Sequence, residues 1–352
     1  MVGWPDRRFL DLAGTEVPII QAPMAGAGGV ELCVAAMRGG ALGSLPCAML
    51  SVQQVREQVA QVRSHVDGPF ALNFFCHRMP EQADDNAWRA LLRPYYAEFG
   101  VEPGNGGALR LPFGEEMCRV VEQLRPAVVS FHFGLPEHRL LERVKAAGAV
   151  VIGNATTVEE ARWLEQQGVD LIIAQGFEAG GHTGRFFASD SAEALGLFAL
   201  LPQVADAVSV PVIAAGGIAD GRGIAAAFVL GASAGQLGTA FLHSPEARIS
   251  DVHRRRLGEG RTLFTNLLTG GLARGLRGRL VDELGAIRPE PPPYPLASAA
   301  LASIRGAAEQ RGEFGFGPMW AGQAAPLGRP LGATELARKL AGDALAILES
   351  RG

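Results

Sequence analysis

Gln167-Gly168-Val169-Asp170-Leu171-Ile172-Ile173-Ala174-Gln175-Gly176-Phe177-Glu178-Ala179-Gly180-Gly181-His182-Thr183-Gly184 is the stretch from which the architecture is read. Its first half has a glycine closing a helical segment, then a short apolar run of strand length. Its second half packs four glycines, one carboxylate and one histidine into a span too short and too flexible to be core. Glycine lets a backbone come close to a flat or phosphorylated ligand because no Cβ intervenes. A histidine beside it can exchange protons near neutral pH. The helix–Gly–strand junction recurs at Ala147-Gly148-Ala149-Val150 and Leu230-Gly231-Ala232-Ser233. Glycine just past a helix end suits a left-handed cap, after which a buried parallel strand begins.

Extending that register predicts eight strands, at 18–24, 41–45, 70–75, 127–133, 149–154, 170–175, 211–215 and 234–241. Apolar residues recur at helical spacing between them, for example over 52–65, 137–147, 158–167 and 221–230. Eight strands alternating with helices point to a parallel α/β sheet closed as a (β/α)8 TIM barrel. Two regions break the repeat. Residues 76–114 form a long insertion after the third strand, and residues 257–352 form an extension with a proline-rich turn at 289–295. The expected organisation is a barrel over 1–256, interrupted by 76–114, with 257–352 packing on it. Loops this long after a barrel strand are usually lids, and both are expected to cover the C-terminal mouth.

The composition excludes several classes. The chain has 352 residues, 48% of them hydrophobic, enough for a substantial core. A net charge of −4 with interspersed signs offers no basic stripe for nucleic acid. The four cysteines, Cys33, Cys47, Cys76 and Cys118, have no zinc-ligand spacing and read as reduced thiols, so no metal site is expected. Residues 1–8 lead into no long apolar run, and no segment reaches the ~18 apolar residues of a membrane span. A cytoplasmic protein without a membrane partner is expected.

In a barrel the active site lies where the strands end, and polar and glycine residues collect there. They include Met24 at the end of strand one, Asn73 in strand three, His132 at the end of strand four and Asn154 at the end of strand five. Strands seven and eight carry Gly216-Gly217 and Gln236-Leu237-Gly238-Thr239. A Gly-Gly turn into a helix, paired one unit later with backbone N–H groups and a hydroxyl, reads as a phosphate cradle.

These residues resemble the FMN-dependent nitronate monooxygenases, formerly called 2-nitropropane dioxygenases. The matching elements are Gln21-Ala22-Pro23-Met24, Gln175-Gly176 with Glu178-Ala179-Gly180-Gly181-His182, residues 211–218 and Gln236-Leu237-Gly238-Thr239. Ala87-Trp88, Pro94-Tyr95-Tyr96, Ala273-Arg274-Gly275-Leu276-Arg277 and Ala321-Gly322-Gln323 match as well, so the likeness runs from about residue 17 to 325. It implies that FMN is held with its phosphate at Gly216, Gly217, Gln236, Leu237, Gly238 and Thr239. Its ring would lie by Met24, Asn73, Gln175, Gly180 and Gly181. It further implies that His182 is the catalytic base, a histidine of ordinary pKa, with Glu178 anchoring its loop. The implied reaction oxidises alkyl nitronates, with neutral nitroalkanes as a further substrate class, using O2 and giving carbonyl compounds and nitrite without nicotinamide. A flavin-dependent NAD(P)H enoyl-thioester reductase family shares the barrel and the Gly-Gly-His loop and is the alternative. Gln-Ala-Pro-Met at strand one favours the monooxygenases. The oligomeric state implied is monomer or homodimer. His132 departs from the family pattern, and so does Thr183, where arginine is common; Arg185 is the nearest cation in sequence that could replace it.

Overall fold

The structure is a computed structural model that describes residues 3–81, 84–104, 110–187 and 193–350, so parts of the expected insertion, 82–83 and 105–109, lie outside the described residues. Eleven strands are found among the described residues. Eight form one parallel sheet: β1 (Ile19–Gln21), β2 (Gly43–Pro46), β3 (Phe70–Phe75), β4 (Val128–His132), β5 (Val150–Ala155), β6 (Leu171–Gln175), β8 (Val212–Ala215) and β9 (Ala234–Leu237). The remaining three, β7 (Gly181–His182), β10 (Thr262–Thr265) and β11 (Ala273–Leu276), make a small antiparallel sheet over the mouth. The junction glycines Gly148, Gly168 and Gly231 have φ of +91°, +81° and +99°, the left-handed geometry their position after a helix requires.

The ring order is β1-β9-β8-β6-β5-β4-β3-β2. It closes through a single parallel bridge, Ile20 to Leu42, with Leu42 N–H donating to Ile19 O at 2.9 Å and Gln21 N–H donating to Leu42 O at 3.0 Å. A side chain completes this thin seam. Gln21 is fully buried, and its Oε1 accepts from Ser44 N–H at 3.0 Å. A buried amide without partners would be costly, and here it supplies the cross-strand bond the short ladder lacks.

Register decides what the mouth contains. Gln175 pairs with Ala215, Ala215 with Gln236, and Gln21 lies opposite Leu237, so β6, β8, β9 and β1 end at one level. The expected eighth strand, 234–241, is too long. It stops at Leu237, and after Gly238 the chain turns into a short helix, Thr239–Leu242. The apolar run Ala240-Phe241-Leu242 that suggested a strand is buried as helix instead. Short apolar runs do not distinguish the two.

Two hydrophobic clusters divide the buried side chains. The larger fills the barrel and the space beneath its helices. The smaller joins the insertion helix Asn86–Phe99 to the helix Ala297–Gln310, with Trp88, Leu92, Tyr96, Leu301 and Ile304 at its centre. The last helix, Ala333–Glu349, returns to the barrel and lies against the helices Gly221–Val229 and Val30–Arg38. Trp88 is fully buried and donates its Nε1–H to Ala297 O at 3.1 Å. Trp88→Ala is expected to cost about 3–5 kcal/mol in urea denaturation, the usual loss for an aromatic core truncation; a change near zero would show that the smaller cluster contributes nothing to stability.

Candidate active site

The C-terminal strand ends surround a cavity of about 560 Å³, within the usual range of roughly 300–1,000 Å³ for cofactor and substrate sites. Eleven of the twelve residues singled out from the sequence line it: Met24, Asn73, Gln175, Gly180, Gly181, His182, Gly216, Gly217, Gln236, Gly238 and Thr239. Leu237 does not. Strand alternation turns its side chain into the core, where it is 1% exposed.

The glycines on the β8 and β9 side form a concave floor. Gly216 and Gly217 both have positive φ, +110° and +69°. Gly180 has a different reason to be glycine, because a Cβ there would sit 2.6 Å from the Ala321 carbonyl carbon and the Gly322 nitrogen. The extension is thus packed directly on the Gly-Gly-His loop. Two hydrogen bonds fasten it: Gln323 N–H to Glu178 O at 3.0 Å and Gly322 N–H to Thr239 Oγ1 at 2.9 Å. The Glu178 carboxylate accepts from Leu197 N–H with both oxygens at 2.9 Å, the anchoring role expected of it.

Gln175 fixes the other side of the loop. Its Nε2 donates to His182 O at 3.0 Å, while Oε1 accepts from Gly184 N–H at 2.7 Å and from Asn154 Nδ2 at 3.1 Å. The side chain borders the cavity, but most of its hydrogen-bonding capacity is spent on positioning the loop. Asn73 is held more lightly: Nδ2 donates to Ser130 Oγ at 2.9 Å and to Ser130 O at 3.3 Å, and Asn73 Oδ1 has no protein partner among the described residues.

His182 stands on β7, paired with Ala273 of β11. Its Nε2 lies 2.9 Å from Thr269 Oγ1. Phe133, Tyr294 and Trp320 surround the ring at centroid distances of 6.0, 5.0 and 5.4 Å. These walls withhold water from a charged imidazole, and Arg110, His132 and His77 add repulsion, so burial first and then neighbouring charge lower the pKa of His182 to about 3. An ordinary histidine pKa was expected; the structure replaces it with a neutral ring throughout the physiological range. His132, also on the wall, is lowered to about 4 by burial.

Arg185 does not line this cavity. Together with Thr183 it borders a separate pocket of about 180 Å³, and its Nε is 3.5 Å from Thr156 Oγ1. The cation that does reach the wall near His182 is Arg110, from the end of the insertion. Sequence reasoning passed over Arg110, Trp320, Thr269 and Tyr294 because each arrives from far along the chain. Asn154 and Ser130 did carry a local signal, as polar residues in apolar strands. Among the described residues no group of three potential ligands could hold a metal ion, and no helix is long and apolar enough to cross a membrane.

A parallel (β/α)8 barrel with a glycine-floored cavity and a histidine among aromatic walls at its mouth defines an enzyme of the barrel class. A family profile described as nitronate monooxygenase matches residues 7–343. The nitronate monooxygenase of Paraburkholderia phytofirmans is 44% identical over 345 residues, covering 95% of this chain and 94% of that protein. That of Pseudomonas aeruginosa is 42% identical over 343 residues, covering 95% and 97%. Among solved structures, a nitroalkane oxidase from Streptomyces ansochromogenes superposes with a TM-score of 0.91 at 35% identity, over 98% of this chain and all of that one. FabK from Thermotoga maritima superposes with a TM-score of 0.73 at 26% identity, over 100% and 99%. The chain belongs to the nitronate monooxygenase family, whose members are oxidoreductases and, in general, flavin-dependent.

A folded pKa below the unfolded 6.5 means that the unfolded chain takes up the proton first, so His182 removes stability progressively as pH falls from about 6.5 toward 3. In NMR titration, the His182 Cε1–H resonance is expected to stay in its neutral position from pH 8 down to pH of about 5, well below the unperturbed midpoint. A midpoint near 6.5 would contradict the desolvated site.

Proposed function

We propose that this protein is an FMN-dependent monooxygenase that oxidises alkyl nitronates with O2 to carbonyl compounds and nitrite. We propose further that it works in the cytoplasm as a monomer or homodimer. The observation that carries the reading is the convergence of the Gly-rich loop, the paired glycine cradle and His182 on one cavity. The residues present suit the cofactor. The positive-φ pair Gly216-Gly217, with Gln236, Gly238 and Thr239, offers a floor without side-chain bulk for a phosphate. Met24, Asn73, Gln175, Gly180 and Gly181 border the remaining wall, where a planar ring would rest, and Asn73 Oδ1 is available to accept a hydrogen bond from it. A flavin bound there supplies the redox chemistry.

The protein's own residues orient substrate and keep water out. Phe133, Tyr294 and Trp320 surround His182 with apolar surface, and Thr269 fixes one ring nitrogen. An imidazole of such low basicity is a poor proton acceptor from a neutral carbon acid. A nitronate arrives already deprotonated, and its negative charge would raise the His182 pKa toward a hydrogen-bonding partner role. Preformed nitronate is therefore the favoured substrate. The structural likeness to a nitroalkane oxidase favours slower turnover of neutral nitroalkanes as a second activity.

The purified protein is expected to be yellow and to consume O2 and release nitrite with ethyl nitronate, without oxidising NADPH in the presence of an enoyl thioester. The opposite pattern would assign it to the reductases. In His182→Asn, turnover of nitroethane should fall, but by less than the roughly 100-fold that a typical general base contributes, while turnover of ethyl nitronate persists. Equal loss on both substrates would remove the base assignment.

A further inference from the structure

The segment entering the fold after the insertion is pinned on both sides of the mouth. His77 Nε2 lies 3.0 Å from Arg110 O, and Phe113 N–H donates to Phe75 O at 2.7 Å. The Phe113 ring then packs on Phe74 and Phe131, at 4.9 and 5.2 Å between centroids. This fixes Arg110 at the ends of β3 and β4, where its side chain joins the cavity wall.

The other arginines of that wall have carboxylate partners: Arg248 with Glu31 at 2.6 Å and Arg305 with Glu309 at 3.7 Å. Glu178 is occupied by the Leu197 N–H. Arg110 has no carboxylate within ion-pair distance among the described residues. Nor is it placed to neutralise a phosphate on the glycine cradle. In the ring order, β3 and β4 stand across the barrel from β8 and β9. An unpaired guanidinium in a partly dry wall calls for an anion, and its planar fork matches a group with two coplanar oxygens.

We infer that Arg110 is the anion-recognition residue of this cavity, its guanidinium receiving the O–N–O group of an alkyl nitronate and selecting the anion over its neutral parent. The inference rests on the reaction proposed above for the substrate's identity. Arg110 also contributes to the charge that keeps His182 neutral, so one cation would both attract the anion and oppose protonation of the base.

Nitrate, a planar oxyanion, serves as a probe that needs no turnover. Calorimetric titration of the flavin-loaded protein with sodium nitrate is expected to show binding. Arg110→Gln should weaken it by about tenfold or more, the scale of a lost charge-assisted hydrogen bond, and Arg110→Lys should recover part of it. In steady state, Arg110→Gln should raise KM for ethyl nitronate by a similar factor and KM for nitroethane by much less. Arg110→Met provides the same charge removal should the glutamine variant fail to fold. Equal nitrate affinity in wild type and Arg110→Gln would overturn the assignment, and so would a parallel loss for nitrate and nitroethane. Arg110-dependent nitrate binding without nitrite release from ethyl nitronate would retain the anion site and refute only the reaction.

Discussion

The carboxamide of Gln175 holds the mouth of this barrel in one arrangement. Its two ends reach the carbonyl of His182, the N–H of Gly184 and the amide of Asn154, so the end of β6, the end of β5 and the Gly-Gly-His loop share one set of hydrogen bonds. A loop rich in glycine has high conformational entropy to lose. Without a rigid post at its base, the histidine it carries would have no defined position. Pairing of β7 with β11 supplies the second support. Glu160 supplies a third: it is fully buried, with one oxygen accepting from Phe186 and Phe187 N–H and the other from Thr156 N–H and Oγ–H.

Once the loop is fixed, solvation sets its chemistry. The cavity wall contains three histidines, His132, His182 and His253, and burial holds all three in the neutral form. A site built this way performs little acid–base chemistry of its own and favours reactants that bring their charge with them. Arg274 reports the same economy of charge deeper in the structure. It is 2% exposed, stacks between Phe177 and Phe264, and donates to the Phe177 carbonyl at 3.0 Å, which places a cation behind the loop and out of the cavity.

Local patterns carried the fold. The three Gly junctions and the eight apolar runs gave strand order and closure because a parallel barrel repeats one short unit, and each unit bears its own signal. The eighth strand was overextended at Thr239–Leu242, where an apolar run serves a helix as readily as a strand. Cavity-lining positions were legible wherever a glycine or a polar atom stands at a strand end. Leu237 was drawn in with its neighbours although its side chain points the other way. The basicity of His182 was not legible, because it depends on Phe133, Tyr294, Trp320 and Arg110, which come from four separate segments. Arg185 looked close in sequence yet faces a different pocket, and Arg110, 72 positions from His182, takes part in its environment.

The close packing of Gly180 against Ala321 and Gly322 also orders events in time. The barrel strands are complete by Leu237, yet the residues packed against the Gly-Gly-His loop come more than eighty positions later. In chain order the eight strands are therefore all present before the cavity has this side. The cavity is walled on this side only once residues 321–322 have joined the barrel.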